Sequence, residues 1–379
     1  MNIRAARKNA LILNEAQRLA WLRLIRSENV GPATFRDLIN HFGSAESALD
    51  ALPGLSKRGG KSAIRICPLH EAEAELDAHG RIGARLVALG EADYPPHLRH
   101  IDGPPPLLSV RGGSALSEPK TVAIVGARNA SLSGRKLAAQ FSRDLGQDGH
   151  LITSGLARGI DAAAHEAALG SGTAAVFAGG IDILYPPEHD RLLAAIIDSG
   201  GNAISEMPLG WKPRGRDFPR RNRLISGMAL GVIVIEAAKG SGSLHTARFA
   251  LEQNRDIFAV PGSPLDPRSE GANGLIRQGA TLVTSARDVM DALAGRLEPD
   301  LPFTQEIDEP ADDQTPYGGD PGQRAREKLV SALGPTPVEI DELIRFTGET
   351  ARTIHVLLLE LELAGRLERH RGQRVSLLL

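Results

Sequence analysis

Between Thr121 and Ala294 the chain alternates short β-branched runs with segments of helical periodicity, a rhythm that few folds accept. Thr121–Val125, Leu151–Thr153, Ala174–Ala178, Ala203–Glu206, Val232–Glu236 and Ile257–Val260 read as buried strands. Helical patterns over Gly134–Leu145, Asp161–Leu169, Asp190–Asp198, Arg220–Met228 and Leu244–Gln253 separate them. Such alternation predicts an α/β domain with a doubly wound, mostly parallel sheet. Ligands of such sheets bind beyond the C-terminal strand ends, so the loops at that edge carry the functional information.

Those loops favour anions. The first strand ends in Gly126-Ala127-Arg128, an arginine at a strand tip beside a glycine. No G-x-G-x-x-G follows it, which argues against a nicotinamide cofactor. The second strand runs into Ser154-Gly155-Leu156-Ala157-Arg158-Gly159-Ile160-Asp161, where small residues and a helix start suggest an anion cradle. Asp161 reads as a cap and His165 as a locally bonded residue rather than as an acid–base pair. The third strand leads to Gly179-Gly180, and Tyr185-Pro186 then opens the helix that bears Arg191. The fourth delivers Lys212–Arg223, with six cations against one acid. The whole chain has a net charge of −2, so that cluster is a local device for meeting an anion. Pro219 suits a helix start, which would set the Arg220-Arg221-Asn222-Arg223 run on a first turn. The fifth strand passes into Gly240-Ser241-Gly242-Ser243, hydroxyls and backbone N–H groups at another helix start. Together these loops point to a polyanion groove. Aromatic content of 4% argues against a reading that needs many bases stacked on rings.

The flanks differ in character. Residues 1–90 look helical, with Val30-Gly31-Pro32 and Phe42-Gly43 as punctuation of a helix-hairpin-helix or sterile-alpha-motif-like bundle. The α/β domain is expected over 91–296. Residues 297–323 hold eight acids, five prolines and no Lys or Arg, which reads as an extended acidic linker. Residues 324–379 give three helical stretches and a hairpin across Arg371-Gly372, the outline of a winged helix. The single Cys67 rules out an intrachain disulfide and fits a reducing cytoplasm. No run approaches transmembrane length, and no membrane association is expected. There is no Walker lysine motif, metal-ligand spacing or G-x-S-x-G elbow, so the residues do not support catalysis.

Several segments occur in order: V-G-A-R at 125–128, S-G-L-A-R-G-I-D with A-A-H at 154–165, F-P-R-R-N-R-L-I at 218–225, G-S-G-S-L-H-T-A at 240–247 and V-P-G at 260–262. With Tyr94-Pro95-Pro96 ahead of them, they resemble the bacterial DNA-processing protein A family (DprA, also called Smf). The resemblance implies a Rossmann-like domain that binds single-stranded DNA, usually as a homodimer, without a cofactor. It also implies a role in natural transformation, in protecting incoming strands and helping to load the RecA recombinase. By position it implies that Arg128 is the strand-tip arginine, that Arg214 and Arg216 lie in a basic pocket loop with Lys212, and that Arg221, Asn222 and Arg223 open the next helix. On this reading, replacing Arg128 or Arg221 weakens strand binding without unfolding the protein.

Two other classes remain open on the residues. Nucleotide phosphoribohydrolases share a Gly-rich loop after a late strand, but their P-G-G-x-G-T-x-x-E pattern and its glutamate are absent from Ala237–Thr246. A duplex-DNA regulator would read through the winged helix. There Arg352, Thr353 and His355 sit on a helix otherwise crowded with leucines, and Arg366, Arg369, Arg371 and Arg374 lie in the wing. Phosphate contact and protein contact account for that domain equally well.

Overall fold

The computed structural model describes residues 11–113, 116–117, 120–296, 321–370 and 372–378. The acidic stretch 297–323 lies outside them except for its last three residues, as does Arg371. The chain forms two compact units, one built from 11–12 and 74–296 and the other from 13–73 and 321–378.

The N-terminal helices are α1 (Glu15–Ile25), α2 (Pro32–Phe42), α3 (Ala45–Arg58) and α4 (Leu69–Arg81). Their ends follow local chemistry. Asn14 and Gln17 form a capping box on α1, Pro32 starts α2, and Ser44 caps α3 through the Ser47 N–H.

The sheet is made of β1 (Ala84–Ala88), β2 (Leu107–Gly112), β3 (Thr121–Gly126), β4 (Leu151–Ser154), β5 (Thr173–Val176), β6 (Asn202–Ser205), β7 (Gly231–Ile235), β8 (Asp256–Ala259) and β9 (Thr281–Leu282). Between them run α5 (Leu132–Gln147), α6 (Ile160–Ala167), α7 (Asp190–Asp198), α8 (Asp217–Met228), α9 (Gly242–Glu252), α10 (Glu270–Arg277) and α11 (Ala286–Leu293). Strand order is β1-β2-β6-β5-β4-β3-β7-β8-β9. β2 is antiparallel to both β1 and β6, and the remaining pairs are parallel. The expected doubly wound sheet is therefore present. From β3 the chain winds outward through β4, β5 and β6, then returns to β7 on the opposite side. β3 is thus the topological switch point, and its C-terminal edge is where such sheets bind ligands.

Alternation within strands feeds two cores. Val125, Val176, Ile204, Val232 and Val234 pack with Leu224, Ile225 and Met228 of α8. Val122, Ile124, Ile152, Ile233 and Ile235 pack with Phe141 and Leu145 of α5. Each such side chain, fully buried, contributes roughly 2 kcal/mol. That fixes the strands firmly enough for their loops to carry strained and charged residues. β1 and β2 form an edge hairpin that the periodicity did not announce, and β1 lies before the boundary expected at residue 91. Tyr94 sits in the connection between them, fully buried, with its hydroxyl donating to Pro105 O at 2.9 Å.

The C-terminal segment adds α12 (Gln323–Ala332), β10 (Val338–Glu339), α13 (Ile340–Thr347), α14 (Ala351–Leu363), β11 (Leu367–His370) and β12 (Arg374–Leu377). Its strands run in the order β10-β12-β11 and enclose a core of Leu329, Leu343, Ile354, Leu358 and Val375. This is the expected winged helix. It shares its compact unit with α1–α3.

Candidate nucleic-acid interface

The basic segment divides into a buried layer and an exposed one. Arg221 is only 6% exposed and reaches under the strand ends. Its Nη1 donates to Gly155 O at 2.5 Å and to Val176 O at 2.9 Å, while Nε donates to Asn222 Oδ1 at 3.1 Å. One guanidinium thereby ties the ends of β4 and β5 to the start of α8. A Cβ at residue 155 would sit 2.0 Å from Arg221 Nη1, so only glycine leaves room for it. Burial pulls the Arg221 pKa down to about 10, against the attraction of Asp161, and the group is charged at neutral pH. Asn222 is also buried and donates to Gly242 O at 3.2 Å, which fastens α8 to the start of α9. Arg223 pairs with the buried Glu206 and donates to Gly103 O at 3.0 Å. Arg220 takes the other Glu206 oxygen at 2.7 Å.

One expected anion cradle, the 154–161 loop, is already filled by the chain's own carboxylate, and a second carboxylate fills the start of α5, which was not expected to be a cradle. Asp161 Oδ2 accepts from Gly155 N at 3.1 Å and Ala157 N at 3.3 Å. Burial raises the Asp161 pKa, opposed by Arg221 and these N–H groups. Glu236, at φ 51°, accepts from Ser131 N at 2.8 Å and from its hydroxyl, at the start of α5. Ser154 is fully buried, with its hydroxyl donating to Ile124 O at 2.6 Å. It therefore offers the edge nothing. Gly126 is paired along β7 opposite Ile235. Ser241 caps α9, and its hydroxyl lies 2.8 Å from that of the buried Ser243.

The outer layer is cationic and aromatic. Arg128 is exposed, with its guanidinium carbon 5.4 Å from the centroid of Phe218. Arg221 approaches the same ring at 5.9 Å, and Tyr185, 49% exposed, meets it edge-on at 5.4 Å. This pair lines a small pocket together with Gly155, Phe177, Gly179 and Arg221. Arg214 stacks on Trp211 at 5.1 Å. The loop that bears them is braced by Asp217, which accepts from Trp211 Nε1 at 3.0 Å and Arg214 N at 2.8 Å. Gly180 N anchors Trp211 O at 2.9 Å from the β5 side. Lys212, Arg214 and Arg216 are all exposed. Among the described residues none of these three, nor Arg128, has an ion-pair partner. Arg158 differs, since it pairs with Glu188 at the surface. Arg191 is exposed on the first turn of α7, and among the described residues no hydrogen bond or ion pair joins it to the others.

The aromatic members Tyr185, Phe218 and Trp211 were not foreseen. Low overall aromatic content hid their concentration at one edge; the signal was Phe218 lying inside the basic run. His165 is fully buried, with Nδ1 2.7 Å from Thr173 Oγ1, as expected of a locally bonded residue. Among the described residues, no group of three His, Cys, Asp or Glu could hold a metal, and no helix is long and apolar enough to cross a membrane.

Two outcomes follow from burial. Arg221→Ala removes the tie and strands Asp161, so it should lower unfolding free energy by about 3 kcal/mol in denaturant titration. The expectation that replacing Arg128 or Arg221 leaves the protein folded therefore holds for Arg221 only if the fold absorbs this loss. Desolvation, assisted by Arg221, depresses the His165 pKa to about 3. Its contribution is therefore fully present above the unfolded value near 6.5 and lost as pH falls toward 3. His165→Gln should flatten the stability profile below pH 6.5 by up to about 1.4 kcal/mol per pH unit.

Three family models match the sequence. One described as DNA recombination-mediator protein A matches residues 85–294, and models of the DprA-like N-terminal HHH domain and the DprA winged helix domain match 15–78 and 310–373. Protein Smf of Escherichia coli is 36% identical over 91% of this chain and 92% of its own length. DNA processing protein DprA of Streptococcus pneumoniae is 44% identical over 52% of this chain and 70% of its own. The X-ray structure of that Streptococcus pneumoniae protein superposes with a TM-score of 0.57 at 33% identity, covering 74% of this chain and 98% of the other. DNA processing protein A from Helicobacter pylori, studied for its single-stranded DNA binding mode, gives a TM-score of 0.51 at 26% identity over 56% and 96%. By sequence along nearly its whole length, and by the fold built around β3, this chain belongs to the DNA-processing protein A (DprA/Smf) family.

Proposed function

We propose that the edge at β3 binds single-stranded DNA without sequence preference. The observation that carries this reading is the exposed set Arg128, Lys212, Arg214 and Arg216 around the Tyr185–Phe218 pair. Separated cations suit a flexible backbone, whose phosphates can adjust to each in turn. A rigid duplex meets fewer of them at once. A base seated on Phe218 or Tyr185 adds stacking worth about 1–3 kcal/mol, which every base can supply. Sequence-tolerant binding is what a protector of incoming strands requires. The Helicobacter pylori relative's single-stranded DNA binding mode supports the same ligand here. In this reading the protein acts in the cytoplasm as a homodimer in transformation and recombination, covers incoming strands and hands them to the RecA recombinase. The partly filled cradles sharpen the mechanism: phosphates are met by side-chain cations, not by helix N-termini.

Four cations neutralising four phosphates predict a log–log salt slope of about −3 for a single strand. Arg128→Ala should reduce its magnitude by about 0.7 while leaving the unfolding midpoint unchanged. Phe218→Leu should weaken binding about 10-fold with the slope preserved, because stacking releases no counterions. Anisotropy titrations of a labelled oligonucleotide at several salt concentrations check both. An unchanged slope in Arg128→Ala would remove that residue from the interface.

A further inference from the structure

The third helix of a winged helix is the element that enters a DNA groove. In α14 one side belongs to the domain's own core through Ile354, Leu357, Leu358 and Leu361. The other side should then be exposed and polar. Instead Leu359, Glu360 and Leu363 are buried to 2%, 1% and 0% exposure outside that core. What covers them is the N-terminal bundle. α3 and its end come so close that a Cβ at Gly59 would lie 1.9 Å from Glu360 O. Asn29 Nδ2 donates to Leu363 O at 2.9 Å, and Arg366 Nη1 donates to Gly59 O at 3.2 Å.

Charge locks this contact. The Glu360 carboxylate lies between Arg58 Nε at 2.5 Å and Arg326 Nε at 2.7 Å, with Arg326 Nη2 at 3.0 Å. Arg369 Nη2 reaches Asp37 of α2 at 2.7 Å, while its Nε holds Glu362 at 2.9 Å. Two wing cations that would serve phosphates, Arg366 and Arg369, are thus engaged by the bundle. Arg352 is near enough to α2 for its charge to help lower the His41 pKa, after burial. A buried pair of this kind is costly to break from one side, since it leaves an uncompensated charge.

We propose that the N-terminal bundle is an intramolecular cover for the winged helix, which keeps α14 and the wing off duplex DNA until the Arg58–Glu360 and Asp37–Arg369 pairs open. The covered stripe is apolar and acidic in its last two turns, so α14 cannot lie along a groove while docked. Release frees Arg366 and the Nη2 edge of Arg369 beside Arg352, a basic surface that does not exist in the docked state.

The test is the full-length Arg58→Glu/Asp37→Lys double variant, which leaves net charge unchanged. Amide exchange at 359–363 should rise, and duplex affinity should rise about 10-fold, as expected from two further phosphate contacts. Adding Arg352→Glu should abolish that gain. Single-strand affinity should stay within about twofold, which separates this proposal from the single-strand reading: that reading fails through Arg128, independently of the bundle. If the double variant does not fold, Asp37→Lys alone should show a smaller change in the same direction. Unchanged exchange at 359–363 would overturn the latch, and an uncovered helix without a duplex gain would overturn the inhibition. So would a fall in wild-type duplex binding on Arg352→Glu, since the helix would then already read DNA.

Discussion

The hydrogen bonds from the Arg221 guanidinium to Gly155 O and Val176 O are the interaction on which the proposed interface depends. Carbonyls at the ends of parallel strands have no further strand partner, and a buried cation has no water. Each satisfies the other, at a desolvation cost offset by nearby Asp161. Once Arg221 is in place, Gly155 must be glycine, α8 starts at a defined height, and Phe218 lies where both Arg128 and Tyr185 can reach it. The rim is thus positioned from beneath.

This arrangement assigns different work to residues of one type. Arg221 and Arg223 are held by backbone carbonyls and a buried carboxylate, and no arriving phosphate can easily outcompete those partners. Arg128, Lys212, Arg214 and Arg216 are exposed and, among the described residues, have no ion-pair partner to give up. Arg158 is intermediate: its pair with Glu188 is at the surface, where such pairs contribute little, so it can be drawn to a strand without loss of stability. Asp161 and Glu236 complete the pattern by occupying backbone N–H groups at the same edge.

Much of the fold was legible in the chain. Six parallel strands and the helices between them follow from apolar runs and period, because burial on both faces leaves a continuous signal. The β1–β2 hairpin was not, since its short strands flank a proline-rich connection and pair antiparallel at an edge. Nor was the division of the arginines. Arg221 finds its carbonyls 66 and 45 residues away, and nothing local distinguishes it from Arg220. Ser154 looked like part of a cradle for the same reason, its hydroxyl partner Ile124 O being supplied by the neighbouring strand. The crowding of leucines in α14 was visible, but its cause was not: one set serves the winged-helix core and another meets the bundle.

The most direct measurement is amide exchange across the whole chain with and without a saturating single-stranded oligonucleotide. Contact by the exposed rim, framed by buried Arg221, predicts protection in 126–128, 185–188 and 211–218, with little change in 351–377. Protection confined to 351–377, or absent from 211–218, would contradict it.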